Sequence, residues 1–217
     1  MRPLMTSVLI ALVAVACSST PEPAAHENPE RAVVSWFEAI DAGDADTASK
    51  SVQGESLALI LAIENDLDEA TTAEYIEDGV PAGVQAGYWD SFAQGFTEFA
   101  SRPISSLTVG QSTVFTAEGS EFARVPIAGG PSAESVVYTR MREDGSWEVD
   151  LIATLGDGFG TLLADLYQGL SEGDSGDTIR EAYTAVVAPG MWAAITDGVY
   201  GDDFNRVALA LVNQIEA

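Results

Sequence analysis

The period of the apolar pattern changes twice along this chain of 217 residues, and this change constrains the fold more than any other feature. In the first hundred residues apolar side chains recur at helical spacing, as Val33, Trp36, Phe37 and Ile40 do. Four runs of β type follow, joined by short Gly-rich or charged segments: 107–116, 121–128, 134–142 and 147–153. After Gly156 the helical spacing returns. The pattern predicts an α+β fold, with helices before and after a four-stranded, mainly antiparallel sheet.

Local patterns refine this prediction. In the last β-type run, Trp147, Val149 and Leu151 alternate with two acidic residues, which predicts a strand with one buried and one polar face. Pro126 cannot donate a backbone hydrogen bond, so the second run is predicted to be an edge strand or a bulged strand. The Pro-Gly pair at 189–190 predicts the end of a helix.

The N-terminus has the pattern of a secretory signal. Arg2 is followed by an apolar stretch at 4–16, which is shorter than the roughly 20 residues of a transmembrane helix. The sequence Leu-Val-Ala-Val-Ala-Cys at 12–17 resembles the lipobox of bacterial lipoproteins, in which the cysteine becomes the lipidated first residue. Ala14 stands where that motif usually has Leu. The motif predicts Cys17 as the site of lipidation.

This resemblance implies that the signal peptide at 1–16 is removed and that residues 17–28 form a tether anchored at Cys17. The lipid bilayer is then a partner, and the protein is exported to the outer face of the cytoplasmic membrane or to the outer membrane. The alternative is an ordinary signal peptide cleaved after Ala16, in which case Cys17 has no role.

Acidic residues dominate the charge. The chain has 34 acidic and 9 basic residues, and removal of Arg2 with the signal leaves eight basic residues and a net charge of −26. Because nucleic-acid binding requires basic patches, we expect no nucleic-acid partner. Cys17 is the only cysteine, so the chain forms no internal disulfide and the fold depends on its apolar core.

The residues that most often perform catalysis are scarce. The only histidine, His26, lies in the predicted tether. The predicted folded part therefore has no histidine for a Ser-His-Asp triad, a Cys-His pair or a multi-histidine metal site. The sequence also has no Gly-x-Gly-x-x-Gly motif and no P-loop. We expect neither a metal ion nor a cofactor.

Two segments resemble the NTF2-like (cystatin-like cone) domains. The segment at 29–44 looks like their opening, an aromatic-bearing amphipathic helix with a Gly-Asp break before a second short helix. The segment at 142–149 is similar to the hairpin that leads into their final strand. The resemblance implies a domain at 29–155, with a curved sheet wrapped over a helix to form a cone with a pocket. Residues 156–217 are then a helical extension packed on this domain.

Six aromatic residues on two predicted helices either fill the core or line such a pocket: Trp36, Phe37, Tyr88, Trp89, Phe92 and Phe96. The NTF2-like enzymes use an Asp or His base inside the cone. By this resemblance Asp150 is the one catalytic candidate, although its neighbours indicate a polar sheet face.

Together these features predict a non-enzymatic lipoprotein of the cell envelope that binds a small apolar ligand or an envelope protein. One alternative is an NTF2-like lyase, isomerase or hydrolase that uses a carboxylate in its pocket. The other alternative is a purely structural envelope protein. A cavity with an acid inside would favour the enzyme, whereas the structural protein needs no cavity.

Overall fold

The computed structural model describes residues 26–130, 135–170, 173–198 and 201–215. The predicted signal peptide, Cys17 and most of the predicted tether lie outside the described residues. The helices are α1 (Pro29–Ala42), α2 (Ala45–Lys50), α3 (Gly54–Asn65), α4 (Glu69–Glu77), α5 (Ala82–Ala100), α6 (Leu151–Leu170), α7 (Gly176–Ala182), α8 (Ala188–Asp197) and α9 (Asp202–Ile215). The strands are β1 (Thr108–Val109), β2 (Thr113–Ala117), β3 (Ser120–Ala128), β4 (Ser135–Met141) and β5 (Trp147–Val149). Within these ranges, no helix combines the length and the apolar character that crossing a membrane requires.

Local side-chain signals set the bounds of α1 and the start of α2. The Asn28 side chain accepts the N–H of Arg31 at 2.9 Å and caps α1. Gly43 ends α1 with a φ of 67°, a left-handed conformation that glycine adopts without steric cost. The Asp44 side chain then accepts the N–H of Thr47 at 3.1 Å and caps α2. These local signals fix the opening of the fold.

The strands form a curled, antiparallel half-barrel, which confirms the α+β class and is compatible with a cone-like fold. The strand order is β1–β3–β4–β5, and β2 pairs with the same side of β3 as β1 does. The predicted run at 107–116 is thus two strands, and the described part of the sheet has five strands instead of four. Between β1 and β2 the N–H of Ser112 donates to Glu30 of α1 at 2.7 Å, which draws the chain out of the sheet.

Pro126 lies in β3, an interior strand, so the predicted edge strand is wrong; of the two alternatives, only an irregularity beside the proline is found, and it lies between β1 and β2. In the antiparallel ladder it is opposite Val136 of β4. Its carbonyl accepts the N–H of Gly110 at 2.8 Å, so its backbone groups face the side of β1 and β2. The missing N–H of Pro126 therefore falls at the gap between these two strands. The sheet tolerates the proline because the neighbouring strand is interrupted there.

The last strand is shorter than predicted. Strand β5 ends at Val149, and α6 begins at Leu151, because the Asp150 side chain caps that helix. The domain boundary predicted between residues 155 and 156 consequently lies inside α6. The predicted alternation is also wrong, since every residue of β5 is buried and Asp150 is buried as well. The side of β5 expected to face solvent instead carries the ion pair between Glu148 and Arg142.

A π-helical turn at Tyr183–Val187 joins α7 to α8, so the helix does not end at the Pro-Gly pair as predicted. In an α-helix the carbonyl of Ala185 would accept the N–H that Pro189 lacks. Here Arg140 of β4 donates to that carbonyl from Nη1 at 2.7 Å. The turn removes the clash with the proline ring and Arg140 replaces the lost hydrogen bond, so the helix continues.

One apolar core runs through the sheet, the N-terminal helices and the C-terminal helices. Fully buried side chains of α3, α6 and α9 belong to it together, as Leu59, Leu163 and Leu211 illustrate. The C-terminal helices are therefore packed on the rest of the fold through a shared interior.

Candidate functional site

The predicted aromatic residues of α1 and α5 meet in the core. The Trp36 ring centroid lies 6.1 Å from that of Trp89, edge to face, and 5.9 Å from that of Phe92. The ring centroids of Phe37 and Trp36 are 5.4 Å apart, and those of Tyr88 and Trp89 are 4.8 Å apart. Trp36, Phe37 and Trp89 are at most 3% exposed. Such edge-to-face packing stabilises a core, and this is the role that the geometry gives these rings.

The solvent side of α5 is more open. Phe92 and Phe96 are half-buried against the same core, and Phe99 is exposed. A hollow of about 510 Å³ lies beside them, between α5 and the end of α1. Its walls include Asp41, Gln94 and Glu98, and none of the six predicted rings lines it. The aromatic set and this hollow are therefore separate features.

Asp150, the predicted catalytic candidate, caps α6 and is completely buried. Its Oδ1 accepts the N–H of Ala153 at 2.8 Å, and its Oδ2 has no hydrogen-bond partner among the described residues. Burial raises the pKa of Asp150 to about 6, although the hydrogen bond from Ala153 and the charge of Arg140 oppose the shift. A carboxyl with this pKa can exchange a proton near neutral pH. The backbone of α8 at Gly190, however, closes over it.

A second buried acid, which the sequence analysis assigned to a polar face, lies two residues earlier. Glu148 accepts a hydrogen bond from Arg142 Nε at 2.6 Å, and Arg142 also reaches the carbonyl of Lys50 at 3.2 Å. Burial raises the pKa of Glu148, and Arg142 opposes the shift. The pair ties the β4–β5 hairpin to the end of α2. A pair of opposite charges six residues apart across a hairpin was the signal that could have indicated it.

A surface groove between α3 and α6 was not predicted from the sequence. Its volume is about 400 Å³, and its apolar walls are formed mainly by Ile63, Leu67, Leu162, Leu166 and Leu170. Leu162 is 49% exposed, which is unusual for a large apolar side chain of this fold. The available signal was the width of the apolar stripe on α6, where Leu162 and Leu163 are adjacent but only one of them can face the core.

The groove has an acidic rim. Asp66, at the end of α3, and Asp165, on α6, are both exposed and both belong to its walls. Helices α3, α4 and α6 together carry seven Asp or Glu residues and no Lys or Arg. At the groove itself the charged lining residues are Asp66 and Asp165, so the potential there is negative. The groove can accept an apolar group and favours one that is accompanied by positive charge.

In the ranges that the structure describes, no three His, Cys, Asp or Glu side chains converge closely enough to hold a metal ion. No family model matches the chain, and neither does any curated protein or solved structure. The functional assignment therefore depends on the geometry of these sites.

Proposed function

We propose that this protein is an exported lipoprotein whose folded part binds an amphipathic segment of an envelope protein in the groove between α3 and α6. The observation that carries the proposal is the groove itself, with Leu162 exposed at its opening. Contiguous exposed apolar side chains rimmed by polar residues mark interaction sites. A groove between two helices suits an amphipathic helix, which inserts side chains spaced three or four residues apart.

The lipobox-like sequence that ends at Cys17 supports the anchoring part of the proposal. In a bacterial host that processes lipoproteins, the wild-type chain should be labelled by a fatty-acid analogue and should sediment with membranes. Cys17→Ser should lose the label and leave the membrane fraction. A mutant that keeps both properties would contradict lipidation at Cys17.

We also propose that the elements from α1 to β5 form an NTF2-like domain. The amphipathic helix α1, the break at Gly43 and Asp44 before α2, and the curled antiparallel sheet support this assignment. An experimental structure that reveals a different strand connection would overturn it.

The groove is tested with a neutral amphipathic peptide of about 15 residues, with Leu on one face and Gln on the other. The purified protein is held in phosphatidylcholine nanodiscs, and empty nanodiscs provide the baseline. Because truncating a half-buried Leu contact costs about 1 kcal/mol, Leu162→Gln should weaken binding about fivefold. The control is Val114→Gln, since Val114 is also 49% exposed but lies on β2.

Two results would contradict the groove assignment. Equal losses in Leu162→Gln and Val114→Gln would indicate unspecific adsorption to apolar surface. The absence of any binding would favour the alternative of a purely structural envelope protein.

A second candidate function is acid–base catalysis by Asp150, and the unpartnered, buried Oδ2 with its raised pKa favours it. Catalysis requires the carboxyl to become accessible, because the fold seals it. Turnover in a screen for lyase, isomerase and hydrolase activity that disappears in Asp150→Asn but persists in Asp157→Asn would establish this function. Asp157 is an exposed acid on the same helix and serves as the control.

A further inference from the structure

The two helices that form the groove each place one carboxylate at its edge. Asp66 follows the last turn of α3, and Asp165 lies on α6 one residue before Leu166. An occupant that contacts Leu162 and Leu166 therefore lies in a groove that also exposes one carboxylate from each helix.

Among the residues that the structure describes, neither Asp66 nor Asp165 has a counterion. The acids seen in ion pairs there include Asp46, Asp177, Asp197 and Glu148. Neither α3, α4 nor α6 offers a basic side chain nearby, as their sequences contain none. A positive charge brought to the rim would therefore meet acids that are not already neutralised.

Electrostatics then discriminates among occupants of the same apolar shape. Opposite charges attract by about 1 kcal/mol at 4 Å in water and by more beside a low-dielectric surface, while like charges repel by similar amounts. A neutral occupant gains only apolar burial, and an anionic occupant is repelled by both carboxylates. Charge complementarity therefore selects cationic partners.

We propose that the groove takes a cationic amphipathic helix of a partner protein, whose Lys or Arg residues flank the apolar face and pair with Asp66 and Asp165. This proposal rests on the proposed function of the groove and adds the chemistry of its partner. A helix is the occupant that fits, because it can present an apolar stripe with basic residues on both sides of it.

Three peptides with one Leu face and different polar faces test the proposal: Leu/Lys, Leu/Gln and Leu/Glu. Binding to the protein in phosphatidylcholine nanodiscs is measured at low and at high salt, with empty nanodiscs as the baseline. The Leu/Lys peptide should bind tightest, the Leu/Glu peptide weakest, and the difference should shrink at high salt. Screening produces this dependence, since the Debye length is about 10 Å at 0.1 M salt and shorter above it.

The double variant Asp66→Asn/Asp165→Asn should weaken Leu/Lys binding about tenfold, as two exposed charge pairs are lost, and should leave Leu/Gln binding unchanged. The control is Asp90→Asn/Glu121→Gln, which removes the same charge at exposed positions of α5 and β3. Equal effects of the two double variants would overturn the proposal, because net charge alone would then explain the preference.

The outcomes also separate this proposal from the proposed function. If the three peptides bind equally and only Leu162→Gln weakens them, the cationic partner is wrong and the groove function stands. If Leu162→Gln weakens the binding of none of the three peptides, both the groove function and the cationic partner are wrong.

Discussion

The α-carbon of Gly190 in α8 lies directly against the carboxyl group of Asp150, which caps α6. A β-carbon at position 190 would be 2.9 Å from Oδ1 and 3.1 Å from Oδ2 of this carboxyl. Carbon and oxygen atoms do not pack this closely without displacement. Helices α6 and α8 can therefore approach each other here because Gly190 has no side chain and leaves room for the carboxyl group that caps α6.

Gly190→Ala should lower the free energy of unfolding by about 1–3 kcal/mol, because the added methyl group overpacks the buried carboxyl. Gly87→Ala in α5 is the matched control, since nothing lies within 4 Å of its β-carbon position. This control should be neutral or stabilise the fold by about 0.5–1 kcal/mol, as Ala replaces Gly within a helix. Urea titration measures both changes. Similar values for the two variants would show that the carboxyl group of Asp150 moves aside without an energetic cost. Asp150→Ala in the Gly190→Ala background should cost less than Asp150→Ala alone.

Asp150→Asn should change how stability depends on pH. Burial raises the pKa of Asp150 from 3.8 to about 6, so the folded state binds more protons than the unfolded state in this window. The contribution of Asp150 to the free energy of unfolding is therefore fully present below pH 3.8 and is lost as the pH rises through about 6. The stability of Asp150→Asn relative to wild type should rise by up to about 3 kcal/mol between pH 4 and pH 8. Asp157→Asn is the exposed control, and a constant difference across this range would contradict the buried charge.

His26 should titrate below its ordinary pKa of 6.5. Its side chain is 6% exposed, and burial lowers its pKa, with Arg142 and Arg31 adding to the shift. Because the chain has a single histidine, one imidazole signal in an NMR titration reports this pKa directly. The stabilising effect of neutral His26 is present above pH 6.5 and is lost as the pH falls through the lowered pKa, so acid should cost wild type more stability than His26→Gln. A measured pKa of 6.5 would indicate an imidazole in solvent, and a higher one would indicate that the fold favours the charged form; either contradicts the expected shift.

Arg142→Met should destabilise the fold by about 3 kcal/mol or more, because it leaves the carboxylate of Glu148 buried without a partner. The side chains of Arg142 and Glu148 are 19% and 10% exposed. Lys50→Met is the control, since its partner Asp46 is 70% exposed and such a pair contributes less than about 1 kcal/mol. Adding Glu148→Gln to Arg142→Met should recover stability, because it removes the uncompensated charge. Equal losses from Arg142→Met and Lys50→Met in thermal unfolding would show that the pair is solvated.

The parts of the fold that follow from short-range chemistry were predictable from the sequence. Asn28, Gly43 and Asp44 act on backbone groups within three or four residues, so the bounds of α1 and the start of α2 could be read in advance. The change of apolar period also identified the α+β class, since that pattern depends only on which side of each element is buried.

The predictions that were wrong concern residues whose structure depends on contacts with a distant part of the chain. Pro126 is tolerated in an interior strand because of a gap at residues 110–112, and the carbonyl of Ala185 is satisfied by Arg140, 45 residues away. The groove forms only because α3 and α6, far apart in the chain, lie side by side. An apolar period indicates that a stripe is buried, but it does not indicate how much of the stripe the neighbouring helix covers.

The bridge between His26 and Trp147 has a mechanical consequence. The N–H of Trp147 donates to the carbonyl of His26 at 2.9 Å, so the chain is fixed to the edge of β5 before α1 begins. Tension applied to the preceding chain meets this bridge first, and only after it breaks does the load pass to the cap of α1 at Asn28. A pull across the strands stretches this hydrogen bond along its axis, whereas a pull along β5 loads it sideways. The direction of the force, as well as its size, therefore determines how the fold yields.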